Sequence, residues 1–333
     1  MDVDSVKKHL QEFFIQSPLV LIGSGLSLGE GISGMWHLAQ HLKEEIPKLV
    51  EGKLLEEWKQ VEELIDQDVG FEDAMASLEQ GSELVPFIVS ETTKLIGKDE
   101  KSIIEDVVLQ EKQLSFSLLL NQLLHNQSEL IIVTPNYDRL IELACESVSL
   151  DIITGFNGCY CGIHNPESEK DKISVIERKR NLKKHAKIFK PHGSLDWYEV
   201  NGSIIRSSYE INARRLIITP GTSKFREGYQ HPFDYHRELS NKHIQEAKSI
   251  LIIGYGFNDE QLEVHLLNKL REGVPALVIT KVLTPNAIRI CGSLNNVTLV
   301  SVGGNDNETK VRIDGVETLH NENWWSLKEF ING

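Results

Sequence analysis

The chain has 333 residues, 40% of them hydrophobic: enough for a full core, and more than one average domain, yet within reach of one α/β domain carrying an insertion. Its 49 acidic against 35 basic residues give a formal net charge of −14, which argues against non-specific nucleic-acid binding, since that needs many cationic phosphate contacts. No run approaches the ~20 apolar residues of a membrane span, and Met1-Asp-Val-Asp-Ser5 has neither a basic patch nor an apolar signal core, so a cytoplasmic protein is expected.

Leu19–Ile22 predicts a buried strand that stops at Gly23-Ser-Gly-Leu-Ser27. Residues 36 to about 125 hold no convincing strand and predict helices at Trp36–Leu49, Leu54–Asp66, Phe71–Gln80 and from Ser82 to His125, the last interrupted near Gly97-Lys-Asp99. That stretch is too long for a simple crossover and reads as an inserted helical layer. Its apolar positions, such as Trp36, Leu54, Leu55, Trp58, Phe87 and Ile88, exceed what one crossover must bury. A second strand, Leu130–Thr134, runs into Pro-Asn-Tyr-Asp138, with a helix over Tyr137–Ser147. Residues 155–215 read as an irregular, turn-rich module carrying Lys190-Pro-His-Gly-Ser-Leu-Asp-Trp197. Buried strands follow at Leu216–Thr219, Ile250–Ile253, Ala276–Thr280 and Val297–Val302, with a helix over Asp259–Glu272. From residue 303, Asp314-Gly315 between alternating residues signals a hairpin, and a last helix carries Trp324 and Trp325. Most of the strand runs lack period-two alternation, which suits strands covered on both faces. Alternation with helices predicts an α/β fold: a doubly wound parallel Rossmann-like sheet with a helical insertion, spanning 1–302, and a hairpin and helix over 303–333.

In an open parallel sheet, ligands bind beyond the carboxyl ends of the strands. Gly23, Ser24, Gly25, Ser27, Asn136 and Asp138 are therefore expected to share one crevice, with His192 in a third segment of similar grammar. Closely spaced glycines after a strand let backbone N–H groups approach a phosphate, although Gly23-Ser-Gly-Leu-Ser27 is neither Gly-x-Gly-x-x-Gly nor a Walker loop, and a tight turn explains it equally well. Asn136 and Asp138 fit a helix cap, or a pair in which Asn136 holds a ribose hydroxyl or a water. His192 fits a solvated loop residue or a base at neutral pH. Gly254-Tyr-Gly-Phe-Asn-Asp259 repeats the strand-glycine-helix junction, with Gly254, Tyr255, Gly256 and Asn258 as nucleotide-turn residues and Asn258 as the helix cap. Leu216-Ile-Ile-Thr-Pro-Gly-Thr222 is a candidate rim. Of Cys145, Cys159, Cys161 and Cys291, only Cys159-x-Cys161 is closely spaced, and with His164 it still lacks a fourth zinc ligand, so no metal is expected. Arg178-Lys-Arg180 with Lys183-Lys184 is the one basic run, read as a solvated helix face.

The order of these motifs resembles that of the sirtuins. Gly23-Ser-Gly-Leu-Ser27 with Gly31-Ile32 is similar to the sirtuin Gly-Ala-Gly-x-Ser…Gly-Ile segment, Thr134-Pro-Asn-Tyr-Asp138 to Thr-Gln-Asn-x-Asp, and His192-Gly193 to His-Gly. Gly254-Tyr-Gly-Phe-Asn-Asp259 is similar to the glycine turn of a divergent sirtuin-like branch. Two features depart from the protein-deacetylating members: no cysteine lies between His192 and Cys291, where those carry zinc-binding pairs, and Ser33-Gly-Met-Trp36 replaces Pro-Asp-Phe-Arg. The pattern is similar to prokaryotic sirtuin-like proteins that hydrolyse NAD in antiviral defence. That resemblance implies an NAD glycohydrolase with Asn136 and His192 as catalytic residues. It also implies NAD depletion as the outcome, and control by homo-oligomerisation or by a separate HerA-type ATPase. The alternatives it leaves are an NAD-dependent protein deacylase and a non-catalytic NAD or ADP-ribose sensor.

Overall fold

The structure, a computed structural model, describes residues 2–67, 69–79, 81–158, 160–165, 184–221 and 230–332. Cys159, Thr222 and the basic run up to Lys183 lie outside the described residues. Helix α1 (Val3–Ile15) leads into β1 (Leu19–Ile22), which is apolar and buried at every position and lies well inside the main sheet. After α2 (Ser24–Glu30) come α3 (Met35–Leu49), α4 (Gly52–Asp66), α5 (Phe71–Met75), α6 (Val85–Leu109) and α7 (Ser115–Leu123). The chain then enters β2 (Glu129–Val133), α8 (Leu140–Ser147), β3 (Asp151–Ile153), β4 (Phe156–Asn157), β5 (Cys161–His164) and β6 (His185–Phe189). Next are β7 (Gly193–Val200), β8 (Ser203–Ser207), β9 (Arg214–Ile217), α9 (Phe233–Glu246), β10 (Ile250–Ile253), α10 (Glu260–Arg271), β11 (Ala276–Ile279) and α11 (Pro285–Cys291). The chain closes with β12 (Val297–Val302), β13 (Thr309–Ile313), β14 (Val316–His320) and α12 (Leu327–Asn332).

The main sheet is nine-stranded, ordered β14-β13-β12-β11-β10-β1-β2-β6-β3, and parallel from β12 through β3. Taken in chain order, β6-β2-β1-β10-β11-β12 run third, second, first, fourth, fifth, sixth, the order of a doubly wound Rossmann-like sheet. The expected fold class is therefore what the chain forms. Side chains alternate between faces. Val20 and Ile22 join a core with α1, α7, α8 and α12, whereas Leu19 and Leu21 join one with α9, α10 and α11. Burial on both faces is why these runs carry no alternation.

Helices α3, α4, α5 and the start of α6 enclose a separate apolar core around Leu42, Ile46, Trp58 and Ile88. Of the apolar positions noted above, Trp58 and Ile88 are central to it, Leu54, Leu55 and Phe87 pack against it, and Trp36 stays 69% exposed. The expected interruption near Gly97 does not occur. Helix α6 runs through it for 25 residues, and the break falls after Leu109, where Glu111 takes φ +55.

The described residues of 155–215 are not irregular. Apart from β6, their strands form a five-stranded antiparallel sheet, β4-β5-β8-β7-β9, over Phe156, Trp197, Leu216, Ile218 and Phe233. The run expected as a main-sheet strand at Leu216–Thr219 is instead β9, at the edge of this smaller sheet. Its place in the main sheet is taken by β6, hidden in the sequence by the polar His185 and Lys187, whose side chains both reach Glu129 on β2. The hairpin turn is as expected: Asp314 and Gly315 take φ +49 and +80, the pair of positive φ values a tight two-residue turn needs. Its strands extend the main sheet, and Trp324 and Trp325 precede the last helix rather than lie in it.

Candidate active site

Four of the singled-out segments leave the carboxyl ends of β10, β1, β2 and β6, which are neighbours in that order, all parallel. The strand order reverses between β1 and β10, so these loops flank the switch point where such sheets open a crevice.

The two glycine turns interlock at the backbone. Gly23 N–H donates to Ile253 O (2.9 Å) and Gly25 N–H to Gly254 O (2.8 Å). A Cβ on Gly23 would lie 2.5 Å from Gly254 O, and one on Gly254, which has φ +59, would lie 2.4 Å from Leu26 N. Only hydrogen fits at either place. Ser24 and Gly25 are exposed at the start of α2, and Ser27 is buried on its inner side.

Asn136 spans the next gap. Its Nδ2 donates to Gly23 O (3.1 Å) and to Ser27 Oγ (2.9 Å), while Oδ1 accepts nothing from the described residues. Ser27 in turn hydrogen-bonds the Asp138 carboxylate, whose Oδ1 also accepts from Leu140 N–H. Burial raises the Asp138 pKa, against the opposing pull of Lys190 and Ser27. The Lys190 ammonium is fully buried and is held by Asp138 O and by Glu142 at 3.2 Å.

His192 comes from the loop after β6 and does not meet Asn136 directly. Its Nε2 lies 2.8 Å from Asp259 Oδ2, both residues being buried. Asp259, not Asn258, caps α10: its Oδ1 accepts from Leu262 N–H, and its own N–H donates to Glu263. Asn258 is exposed and accepts from Asn286 Nδ2 at 2.9 Å. Tyr255 is 5% exposed and packs edge-on against Phe257 in the core, with burial pushing its hydroxyl pKa well up. Gly256 O accepts from the Thr284 hydroxyl.

Residues that the sequence reading passed over hold these loops in place. On α6, Asp99 accepts from Ser33 N–H (2.8 Å), and the neighbouring Glu100 accepts from the backbone N–H of Arg139 and pairs with its guanidinium. One helical turn thus grips both the segment after α2 and the residue after Asp138. Asp259 had a sequence signal, since Asp caps a helix as well as Asn does, but Asn258 beside it carries the same signal. Glu100 had none: nothing local marks one glutamate on a long helix as the partner of a loop thirty-nine residues on.

A cavity of about 820 Å³ lies between α5–α6 and the β9-to-Pro220 segment. Of the singled-out residues, only the candidate rim lines it, through Leu216, Ile217, Thr219 and Pro220; none of the strand-end residues from Gly23 to Ser27, Asn136, Asp138, His192 or the Gly254 turn does. The segment that walls it also meets the site: Ile218, between the lining residues Ile217 and Thr219, donates its N–H to His192 O (3.0 Å). The convergence of polar groups at the strand ends, rather than cavity size, marks the candidate active site. Among the described residues no group of three or more His, Cys, Asp or Glu is arranged to hold a metal ion, and no helix is long and apolar enough to cross a membrane.

Fold and strand-end loops define a Rossmann-like α/β protein with polar groups gathered at its switch point. Residues 130–280 match the family model of the SIR2-like domain, a span that includes Asn136, His192 and the Gly254 turn. No curated protein matches the chain in sequence. A solved structure described under sirtuin substrate affinity is 14% identical, with 86% of this chain and 90% of that one covered and a TM-score of 0.42. One described under the mechanism and regulation of Sir2 enzymes is 9% identical, with 85% and 88% covered and a TM-score of 0.39. A complex of a Sir2 homologue with NAD is 13% identical, with 88% and 87% covered and a TM-score of 0.38. Likeness at this level adds nothing to the strand order read from the chain itself.

Proposed function

We propose that the chain is an NAD glycohydrolase, and that Asn136 and His192 carry the chemistry. One observation carries the reading: the loops bearing Gly25, Asn136, His192 and Gly254 leave adjacent parallel strands at the switch point of a sheet with dinucleotide-binding strand order. The SIR2-like match over 130–280 supports it. In this reading NAD and water give nicotinamide, ADP-ribose and a proton. The electron pair of the glycosidic bond leaves with the nicotinamide nitrogen and neutralises the cationic ring. Water attacks the ribose carbon and gives its proton to His192. Asn136 Oδ1 orients that water or a ribose hydroxyl, while its Nδ2 is pinned by Gly23 O and Ser27. Gly23, Ser24, Gly25, Ser27, Asp138, Gly254, Gly256 and Asn258 shape the nucleotide side, and Tyr255 supports it from the core. The motif resemblance extends the reading to NAD depletion in antiviral defence, with a homo-oligomer, a HerA-type ATPase, or both as the control.

The test is nicotinamide release from NAD by purified protein, followed by chromatography, with and without an acetylated peptide. Asn136→Ala and His192→Ala should each lower turnover roughly 10²-fold or more, the range of a lost general base or positioning group. Near-wild-type cleavage in both variants overturns the assignment. Release that requires the peptide makes the chain a deacylase, and binding without release makes it a sensor.

A further inference from the structure

His192 and Asp259 start far apart. Their strands, β6 and β10, are separated by β2 and β1, three inter-strand spacings or roughly 14 Å. Both loops must lean inward over the ends of the two central strands for the side chains to meet. Two ionisable groups brought into a buried place are stabilising only when paired, because each loses its hydration. Asp259 is also placed with more control than a helix cap requires. The turn that delivers it passes through Gly254 at φ +59 and through Phe257 at φ +55. A left-handed conformation is a costly one for a bulky residue that is fully buried. The two carboxylate oxygens divide the work: Oδ1 caps α10, and Oδ2 faces His192. At 2.8 Å the imidazole Nε2 and the carboxylate Oδ2 stand at hydrogen-bonding distance.

We propose that Asp259 is the positioning residue of the site, orienting His192 and fixing its tautomer. With Nε2 facing a carboxylate, Nε2 carries the proton and Nδ1 keeps the lone pair, so Nδ1 is the atom that accepts the proton from water. Asp259 touches no reacting atom and acts only through His192. This rests on the reading of His192 as the base.

The experiment uses the full chain and needs two readouts. Asp259→Asn keeps the size and the helix cap, since Asn caps as well as Asp, and removes only the charge facing Nε2. Its kcat for NAD should fall on the order of 10²-fold or more, with KM and Tm near wild type. Asp259→Ala should lose stability as well, through the cap. Independently of turnover, ¹⁵N shifts of the imidazole in the unmutated protein, assigned by comparison with His192→Gln, should show a protonated Nε2 and a bare Nδ1. Asp259→Asn should show a mixture of tautomers. A kcat for Asp259→Asn within about threefold of wild type overturns the proposal. So does a wild-type imidazole with the proton on Nδ1, whether or not any variant folds. Should wild-type protein release no nicotinamide, the NAD reading fails and the ¹⁵N shifts alone decide the pairing.

Discussion

Gly254 shows how little tolerance the site has at a single position. A methyl group there would meet Leu26 N at 2.4 Å, backbone against backbone, in a conformation that L side chains avoid. Gly254→Ala should therefore cost about 3 kcal/mol or more in chemical denaturation, at the upper end of ordinary point changes, and should abolish nicotinamide release even where the variant still folds. A second residue-scale expectation concerns acid. Glu129 hydrogen-bonds His185 and pairs with Lys187, and these hold its pKa down to about 2 from 4.5, His185 contributing most and half-burial opposing. A carboxylate whose pKa is lower folded than unfolded contributes stability above the unfolded value, and that stability is lost as pH falls. The window is pH 4.5 down to about 2, and Glu129→Gln should flatten the decline of Tm within it. The placement of Asn136 and His192 was legible in the sequence because strand ends announce themselves: each sits three residues beyond a strand. Asn136's partners Gly23 and Ser27 were expected in the same crevice, but the partner of His192 was not, because the choice between Asn258 and Asp259 goes with the backbone torsion at Phe257, which the sequence does not display.

Among the elements, α6 departs most from expectation. A glycine in mid-sequence suggested a break, yet the helix continues because its two halves bury different faces: Ile88 in the helical layer, Ile96 and Ile103 in the main core. Tertiary packing overrides propensity here. Since a Cβ on Gly97 would meet nothing within 4 Å, Gly97→Ala should stabilise the protein by about 0.5–1 kcal/mol, read as a rise in Tm. Strand β6 is the opposite case: regular in structure and unreadable in sequence. Its alternating polar residues answer to Glu129 on the neighbouring strand, a contact fifty-six residues back. The uniformly apolar strands β1, β10 and β11 were legible because both of their faces are buried.

At the scale of the whole molecule, the smaller sheet and α9 meet through imidazoles. His164 Nδ1 and His231 Nε2 lie 2.8 Å apart, and burial first, then His231, lowers the His164 pKa to about 4 from 6.5. A histidine kept neutral by the fold must charge on unfolding in acid, so stability falls as pH drops from 6.5 and levels off below about 4. His164→Gln should remove that limb from a plot of Tm against pH. Assembly is the second expectation at this scale. Leu28, Met35 and Trp36 are 52%, 40% and 69% exposed beside the glycine turn. A homo-oligomer is expected to cover them, with an interface above ~1,000 Å². Light scattering should give a multiple of the chain mass, reduced to a single chain by Trp36→Ser. A wild-type monomer that is fully active counts against the assembly.

Asp99 and Glu100 stand side by side on α6. Through Ser33 and Arg139 that helix ties the loops that follow β1 and β2 to one helical turn, so the strand-end segments on that side of the switch point share a single anchor on the helix that also builds the helical layer.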